Sequence, residues 1–325
     1  MLPKRLSPGD EIRVIAPSTS MALVKDKQID IAVERLNQLG FHVTFGKNVY
    51  DHDEFYTTSI KDRIEDLHDA FKDPNVKGIF AALGGFHANQ LLKYIDYELI
   101  RANPKVFCGY SDITALIAAI HKKTGLITYY GPFFSSFGIK YGVEYTMQSF
   151  LEAVTNDAPY EVDPSETWSD DPWYLDQENR EFIKQDGYLI LQEGEASGTL
   201  IGGNLSTLNL LQGTEYMPIL KDSILFIEDS KESHPQSFDR DLQSLLHLHD
   251  ASGIKGILIG RFQKDTNMTE AAIKKIIYSK EELRHLPVIA NINFGHVQPI
   301  ATISFGGKAT IFANESYTKI IIELI

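Results

Sequence analysis

From residue 11 to residue 130 the chain alternates short apolar runs with amphipathic stretches of helical period, and few folds accommodate that rhythm. Glu11 to Ala16 reads as a strand stopped by Pro17, and Phe41 to Phe45 as a second. Between them, residues 26–39 place Ile29, Ala32, Val33 and Leu36 on one helical face, with Gly40 as the stop. Ser59 and Asp62 have capping-box spacing, and Ile60, Ile64, Leu67 and Phe71 follow as a helical stripe. Val76 to Leu83, Lys105 to Tyr110 and Leu126 to Tyr130 are further strands, with helical stretches over 87–95 and 112–122 between them. Strands separated by helices lie parallel in one sheet, with helices packed on its faces.

A second alternating pattern begins after Gly187. Tyr188–Gln192, Ser197–Ile201, Ser223–Ile227, Ile257–Phe262 and Val288–Ile292 read as strands. Gly202-Gly203-Asn204 reads as a turn into a short helix at Leu205–Leu211. Residues 238–249 and 269–284 read as helices, the first with Phe238, Leu242, Leu245, Leu246 and His249 in register. Strand-like segments at 301–305, 309–312 and 318–324 close the chain. The expected class is therefore α/β. An N-terminal parallel-sheet α/β domain is expected over 1–150 and a smaller, β-rich C-terminal α/β domain over 188–325, a length that suffices for two cores.

Residues 151–187 differ from both halves. From Glu152 to Asp186 there are 11 Asp or Glu and 2 Lys or Arg, a net −9 of the chain's −13. Both tryptophans fall here, in Trp168-Ser169-Asp170-Asp171-Pro172-Trp173. So long and polar a segment is an inter-domain linker or a functional loop, and the tryptophans favour a loop that covers a ligand or packs on a partner.

The charge excludes some partners. With a net −13 and no basic run, binding to nucleic acid through phosphate neutralisation is not expected. No apolar stretch approaches the roughly 20 residues of a membrane span, and the first residues carry no apolar signal core. Cys108 is the only cysteine, so no intrachain disulfide can form. A cytoplasmic protein with no membrane contact is the expectation.

Chemistry gathers at strand ends. In Gly109-Tyr110-Ser111-Asp112 an apolar strand stops at a serine and a helix follows at once. A serine there projects from the sheet's carboxyl edge, beside backbone N–H groups at a helix start, and reads either as a nucleophile or, on this motif alone, as a plain helix N-cap. Ile113 stands two residues later, so the G-x-S-x-G pattern of α/β-hydrolases is absent. Gly84 and Gly85 end another strand at the same edge, where glycine lets a backbone N–H approach a substrate oxygen closely. Glu228 closes the strand Ile224-Leu225-Phe226-Ile227, with Asp229 next to it as the alternative carboxylate, and His296 follows the strand 288–292 on a loop with Gly295. A carboxylate that orients a histidine, and a histidine that deprotonates a serine, make a nucleophilic triad. His247 and His249 are two apart on a helix and share no face, so no metal pair is expected; the chemistry needs no metal and no cofactor.

At these residues the chain resembles the LD-carboxypeptidase family of serine peptidases, and within it the branch similar to the microcin C immunity protein. The likeness rests on Val14-Ile15-Ala16-Pro17-Ser18, Leu83-Gly84-Gly85, Gly109-Tyr110-Ser111-Asp112-Ile113-Thr114, Gly202-Gly203-Asn204-Leu205, Phe226-Ile227-Glu228-Asp229 and Asn293-Phe294-Gly295-His296. The resemblance implies a Ser111, Glu228, His296 triad and an oxyanion hole from the Gly85 and Asp112 amides. It implies a site between two domains and a homodimer. The microcin branch cleaves the amide or acyl link between an aminoacyl or peptidyl group and a nucleotide, and a tryptophan on its inter-domain loop stacks on the base. Trp173 is the expected stacking residue, with Gly84, Asn204 and Lys231 as further substrate contacts. The murein branch instead releases a terminal D-amino acid from cell-wall peptides. A non-catalytic, two-lobed small-molecule binding protein is the alternative of another class.

Overall fold

The computed structural model describes residues 1–314 and 316–323. The first half contains strands β1 (Glu11–Ile15), β2 (His42–Phe45), β3 (Val76–Ala81), β4 (Val106–Gly109) and β5 (Thr128–Tyr130). Helices α1 (Asp26–Gln38), α2 (Ile60–Lys72), α3 (Tyr97–Ala102) and α4 (Thr114–Thr124) connect them, with a 3-10 turn over Ala88–Tyr94. Helix α5 (Glu144–Thr155) then leads into short strands β6 (Tyr160–Glu161), β7 (Thr167–Trp168) and β8 (Ile183–Lys184). Strands β9 (Leu189–Gln192), β10 (Gly194–Asn204), β11 (Ser223–Glu228), β12 (Gly256–Gly260) and β13 (Val288–Ile292) follow, with helices α6 (Leu205–Asn209), α7 (Pro235–Leu246) and α8 (Glu270–Tyr278) among them. The chain closes with β14 (Ile303–Phe305), β15 (Lys308–Ala313) and β16 (Lys319–Glu323); position 324 of the expected last strand lies outside the described residues.

Two sheets result. One has the order β14-β5-β4-β3-β1-β2 and the other β6-β16-β15-β10-β11-β12-β13-β9. Strands β1 to β5 pair in parallel, and so do β10 to β13. Strand β14 lies antiparallel on β5, so a segment from the chain's last part completes the first sheet. Strand β6, from the acidic segment, pairs with β16 in the second sheet. Nothing in the local pattern of either segment names its partner, because pairing is settled by what remains uncovered at each sheet edge.

Several local expectations are corrected. Gly202 and Gly203 are not a turn: they continue β10 to Asn204 in register with β11. Gly202 has φ +156°, and a Cβ there would lie 1.7 Å from the Phe226 carbonyl oxygen. Helix α2 buries Arg63 and Asp66 with Leu67, Ala70 and Phe71, so the apolar stripe of Ile60 and Ile64 is only half-buried. Helix α7 ends at Leu246, which leaves His249 outside it. No described helix is long and apolar enough to cross a membrane.

The acidic segment is folded against both halves of the molecule. Gln28 donates to the Tyr174 carbonyl (3.0 Å), and Arg180 donates to the Tyr141 carbonyl (2.8 Å) while clasping Asp171. On the other side, Ser169 and Gln298 exchange backbone hydrogen bonds of 2.8 and 2.9 Å. Asp170 also accepts from the Lys264 amide.

Gly202→Ala should destabilise the protein by on the order of 3 kcal/mol or more, because main chain cannot move aside as a side chain can. Urea unfolding measures this, and a loss under about 1 kcal/mol would contradict the register described.

Candidate active site

The parallel strands of both sheets end at one place. Strand β4 delivers Ser111, β11 delivers Glu228, β10 ends at Asn204, and β13 leads into the loop that carries His296. Side chains remote in sequence therefore meet across a cleft of about 1180 Å³ lined by Ser111, Asp112, Gly85, His296, Asn204 and Trp173 among others.

The histidine lies between the other two. The Ser111 Oγ is 2.9 Å from His296 Nε2, and His296 Nδ1 is 2.7 Å from Glu228 Oε2. Glu228 is fully buried. Its other oxygen, Oε1, accepts from the Tyr130 hydroxyl (2.6 Å) and from Asn204 Nδ2 (3.1 Å). Burial pushes the Glu228 carboxyl up, but the His296 charge and the donors His296, Tyr130 and Asn204 outweigh it, holding it below the usual carboxylate range. Burial pushes His296 down, yet Glu228 foremost, then Asp229 and Glu232, raise it above its ordinary value. An ionised carboxylate only accepts, so His296 Nδ1 carries the proton, and Nε2 presents a lone pair to the serine O–H. Tyr110 stands edge-on to the imidazole, with ring centres 5.3 Å apart.

Ser111 is held in an unusual backbone conformation. Its φ is +58°, a left-handed value that a serine adopts only under constraint. Thr114 Oγ1 supplies part of that constraint: it donates to the Ser111 carbonyl (2.6 Å) and accepts from the Asn204 amide (3.1 Å). The Ser111 amide in turn donates to the Tyr130 hydroxyl at 3.3 Å. Tyr130 thus joins the serine's main chain to the carboxylate's side chain.

The remaining expected site residues are placed as follows. Gly84 lies against the serine: a Cβ there would be 3.1 Å from Ser111 Oγ and 3.0 Å from the Phe133 ring. The Gly85 amide has no hydrogen-bond partner among the described residues, as an oxyanion donor requires. Trp173 is half-buried on the cleft wall, its ring edge-on to Tyr174. Lys231 is exposed and lines the same cleft. Asn204 is buried with its amide committed: Nδ2 donates to Glu228 and Asp229, and Oδ1 accepts from the Thr207 amide and two hydroxyls. Trp168 turns away from the cleft, under Arg261 at 4.8 Å.

The sequence reading missed Tyr130, though a tyrosine closing a buried strand signals a hydroxyl that must find a partner. Asp229, the alternative to Glu228 at this strand end, lies beside it and shares the Asn204 amide. Burial and then the Glu228 charge push that carboxyl up to about 6, and its Oδ2 lacks a partner among the described residues.

Three outcomes follow from this geometry. Ser111→Gly relieves the left-handed strain, so it should abolish hydrolysis while raising stability by about 0.5–1 kcal/mol. A destabilised Ser111→Gly protein in thermal unfolding would contradict the strain. If His296 acts as a base it must be neutral, so kcat/KM should rise with pH through a midpoint above about 6.5. Glu228→Gln removes the charge that raises it, so that midpoint should fall, with a rate loss on the order of 10⁴-fold. An unmoved midpoint would contradict the coupling.

Comparison with known proteins agrees with this architecture. Residues 12–131 match the LD-carboxypeptidase N-terminal domain, and residues 197–311 match the LD-carboxypeptidase C-terminal domain. The Bacillus subtilis protein YocD, which bears a carboxypeptidase name, is 51% identical over 323 residues covering 99% of each chain. The crystal structure of an MccF-like protein from Bacillus anthracis str. Ames superposes with a TM-score of 0.99, at 55% identity over 100% of both chains. The microcin C7 self-immunity protein MccF, solved in complex with glutamyl sulfamoyl guanosine, gives a TM-score of 0.89 at 30% identity, covering 99% of this chain and 98% of that one. With matching models over both halves and relatives above half identity along its whole length, the chain belongs to the LD-carboxypeptidase family of serine peptidases and has the two-domain fold of MccF.

Proposed function

We propose that this carboxypeptidase cleaves the amide or acyl link between an aminoacyl or peptidyl group and a nucleotide. The observation that carries the chemistry is the hydrogen-bonded run from Ser111 through His296 to the buried Glu228. Ser111 Oγ attacks the carbonyl carbon as its proton passes to His296 Nε2. Glu228 holds the tautomer and stabilises the imidazolium that forms. The Gly85 and Asp112 amides receive the oxyanion. The leaving group takes the proton from His296, an acyl-enzyme remains, and water deprotonated by His296 then releases it.

The cleft wall favours a nucleotide. Trp173 offers an aromatic face, and Lys231 lines the same cleft and suits a phosphate or sulfamate. Gly84 leaves room beside the nucleophile, and Asn204 completes the wall beneath it. The MccF structure with glutamyl sulfamoyl guanosine is that of a family member holding such a ligand. Assembly as a homodimer is part of this reading.

The test offers an aminoacyl sulfamoyl adenosine and a murein tetrapeptide to the same preparation. Cleavage of the first is expected; cleavage of the tetrapeptide alone would replace this reading with D-amino-acid release. Trp173→Ala should raise KM for the nucleoside substrate by about 10- to 100-fold, the worth of one stacked base. An unchanged KM would remove Trp173 from the site. Ser111→Ala should lose several orders of magnitude in kcat while remaining folded, and near-normal turnover would end the proposed mechanism.

A further inference from the structure

The turn Gly84–Ala88 carries the Gly85 amide, yet it has little core of its own and exposes Phe86. Its position is set by hydrogen bonds from three buried side chains. Asp112 Oδ2 accepts from the Ala88 amide at 2.9 Å and from the Ser18 hydroxyl at 2.5 Å. Ser18 Oγ accepts in turn from the His87 amide at 3.3 Å. Arg63 donates to the His87 carbonyl (3.0 Å) and the Pro17 carbonyl (3.1 Å). At the other end of the turn, the Thr19 amide donates to the Gly84 carbonyl at 3.1 Å.

Asp112, Ser18 and Arg63 are 4%, 0% and 3% exposed, so solvent cannot replace these bonds. Gly85 is pressed onto the same group: with φ +144°, a Cβ would lie 2.5 Å from Ser18 Oγ and 2.3 Å from Thr19 Oγ1. Asp112 is also the residue directly after the serine. Its main chain therefore moves with Ser111, while its side chain holds the opposite turn.

We propose that the Asp112 carboxylate is a positioning residue that fixes the Gly85 amide in register with the Ser111 hydroxyl, with Ser18 as its relay. Asp112 then serves oxyanion capture twice, through its own amide and by placing its partner's. This rests on the reading of Ser111 as nucleophile given above. The role asks only for an acceptor, since both donors reach one oxygen. An asparagine can present its carbonyl there, whereas alanine leaves the Ser18 O–H and the Ala88 N–H unpaired.

The experiment measures kcat and KM for Asp112→Ala, Asp112→Asn, Ser18→Ala and the Ser18→Ala/Asp112→Ala double variant. Asp112→Ala should lose about 10²-fold in kcat, the scale of one misplaced oxyanion donor, with KM within about threefold. Asp112→Asn should retain most of the rate, Ser18→Ala should lose about 10-fold, and the double variant should be no slower than Asp112→Ala, because both act through one latch. Amide exchange at His87 and Ala88 should quicken in Asp112→Ala, a readout that does not depend on the reaction. A folded Asp112→Ala protein with normal kcat, an Asp112→Asn variant as slow as it, or additive losses in the double variant would overturn the proposal. If Asp112→Ala does not fold, Ser18→Ala decides, and an unchanged kcat there refutes the relay. Ser111→Ala run alongside separates the two claims: if it still turns over, the nucleophile reading fails, and exchange at Ala88 alone decides whether the latch exists.

Discussion

A charged carboxylate sealed from water is costly, and here the site is built around making it tolerable. Glu228 has no exposed surface, yet three hydrogen-bonding partners, His296, Tyr130 and Asn204, reach it from two sheets, while the neighbouring Asp229 shares the Asn204 amide. Taking away one donor leaves an uncompensated charge in the interior, so each is tied to the others. The imidazole is consequently locked in one tautomer and one orientation before any ligand arrives. Little reorganisation is then left for the moment of reaction, which is the physical advantage of a preorganised polar site.

The same network explains why two sheets can share one site. Tyr130 leaves β5 and bonds Glu228 at the end of β11; Thr114 opens α4 and bonds the Asn204 amide at the end of β10. Phe226 packs its ring against Tyr130, Phe294 and Phe305 beneath these polar contacts. The contact between the halves is thus apolar below and hydrogen-bonded above. The serine and histidine stand at bonding distance without a closing motion. Strain at Ser111 is held by this scaffold, since Thr114 and Tyr130 grip its carbonyl and amide.

Much of this was legible in the sequence because strand ends are local. Ser111 stood out where an apolar run broke into a helix, and Glu228 and His296 stood out as polar residues just past such runs. What local pattern could not supply were choices made at a distance. Tyr130 meets Glu228 across 98 positions, and β14 joins a sheet whose other strands end at residue 130. Gly202 and Gly203 imitate a turn because glycine usually ends a strand; here its missing side chain lets β10 lie against Phe226 and Thr114. Arg63 broke the expected stripe of α2, since it is buried to reach two carbonyls rather than to fill a core. The acidic segment read as a linker or a functional loop because its charges dominate its composition, whereas its partners, Gln28, Tyr141, Lys264 and Gln298, are scattered along the chain.

The central claim is that the serine hydroxyl is activated by an imidazole tuned by the buried carboxylate. Reaction with a fluorophosphonate, followed by peptide mapping, addresses it most directly. The account predicts one covalent adduct, on residue 111, formed at a rate that rises with pH as the imidazole loses its proton and that collapses in His296→Gln. An adduct on another residue, or labelling at an equal rate without that imidazole, would contradict it.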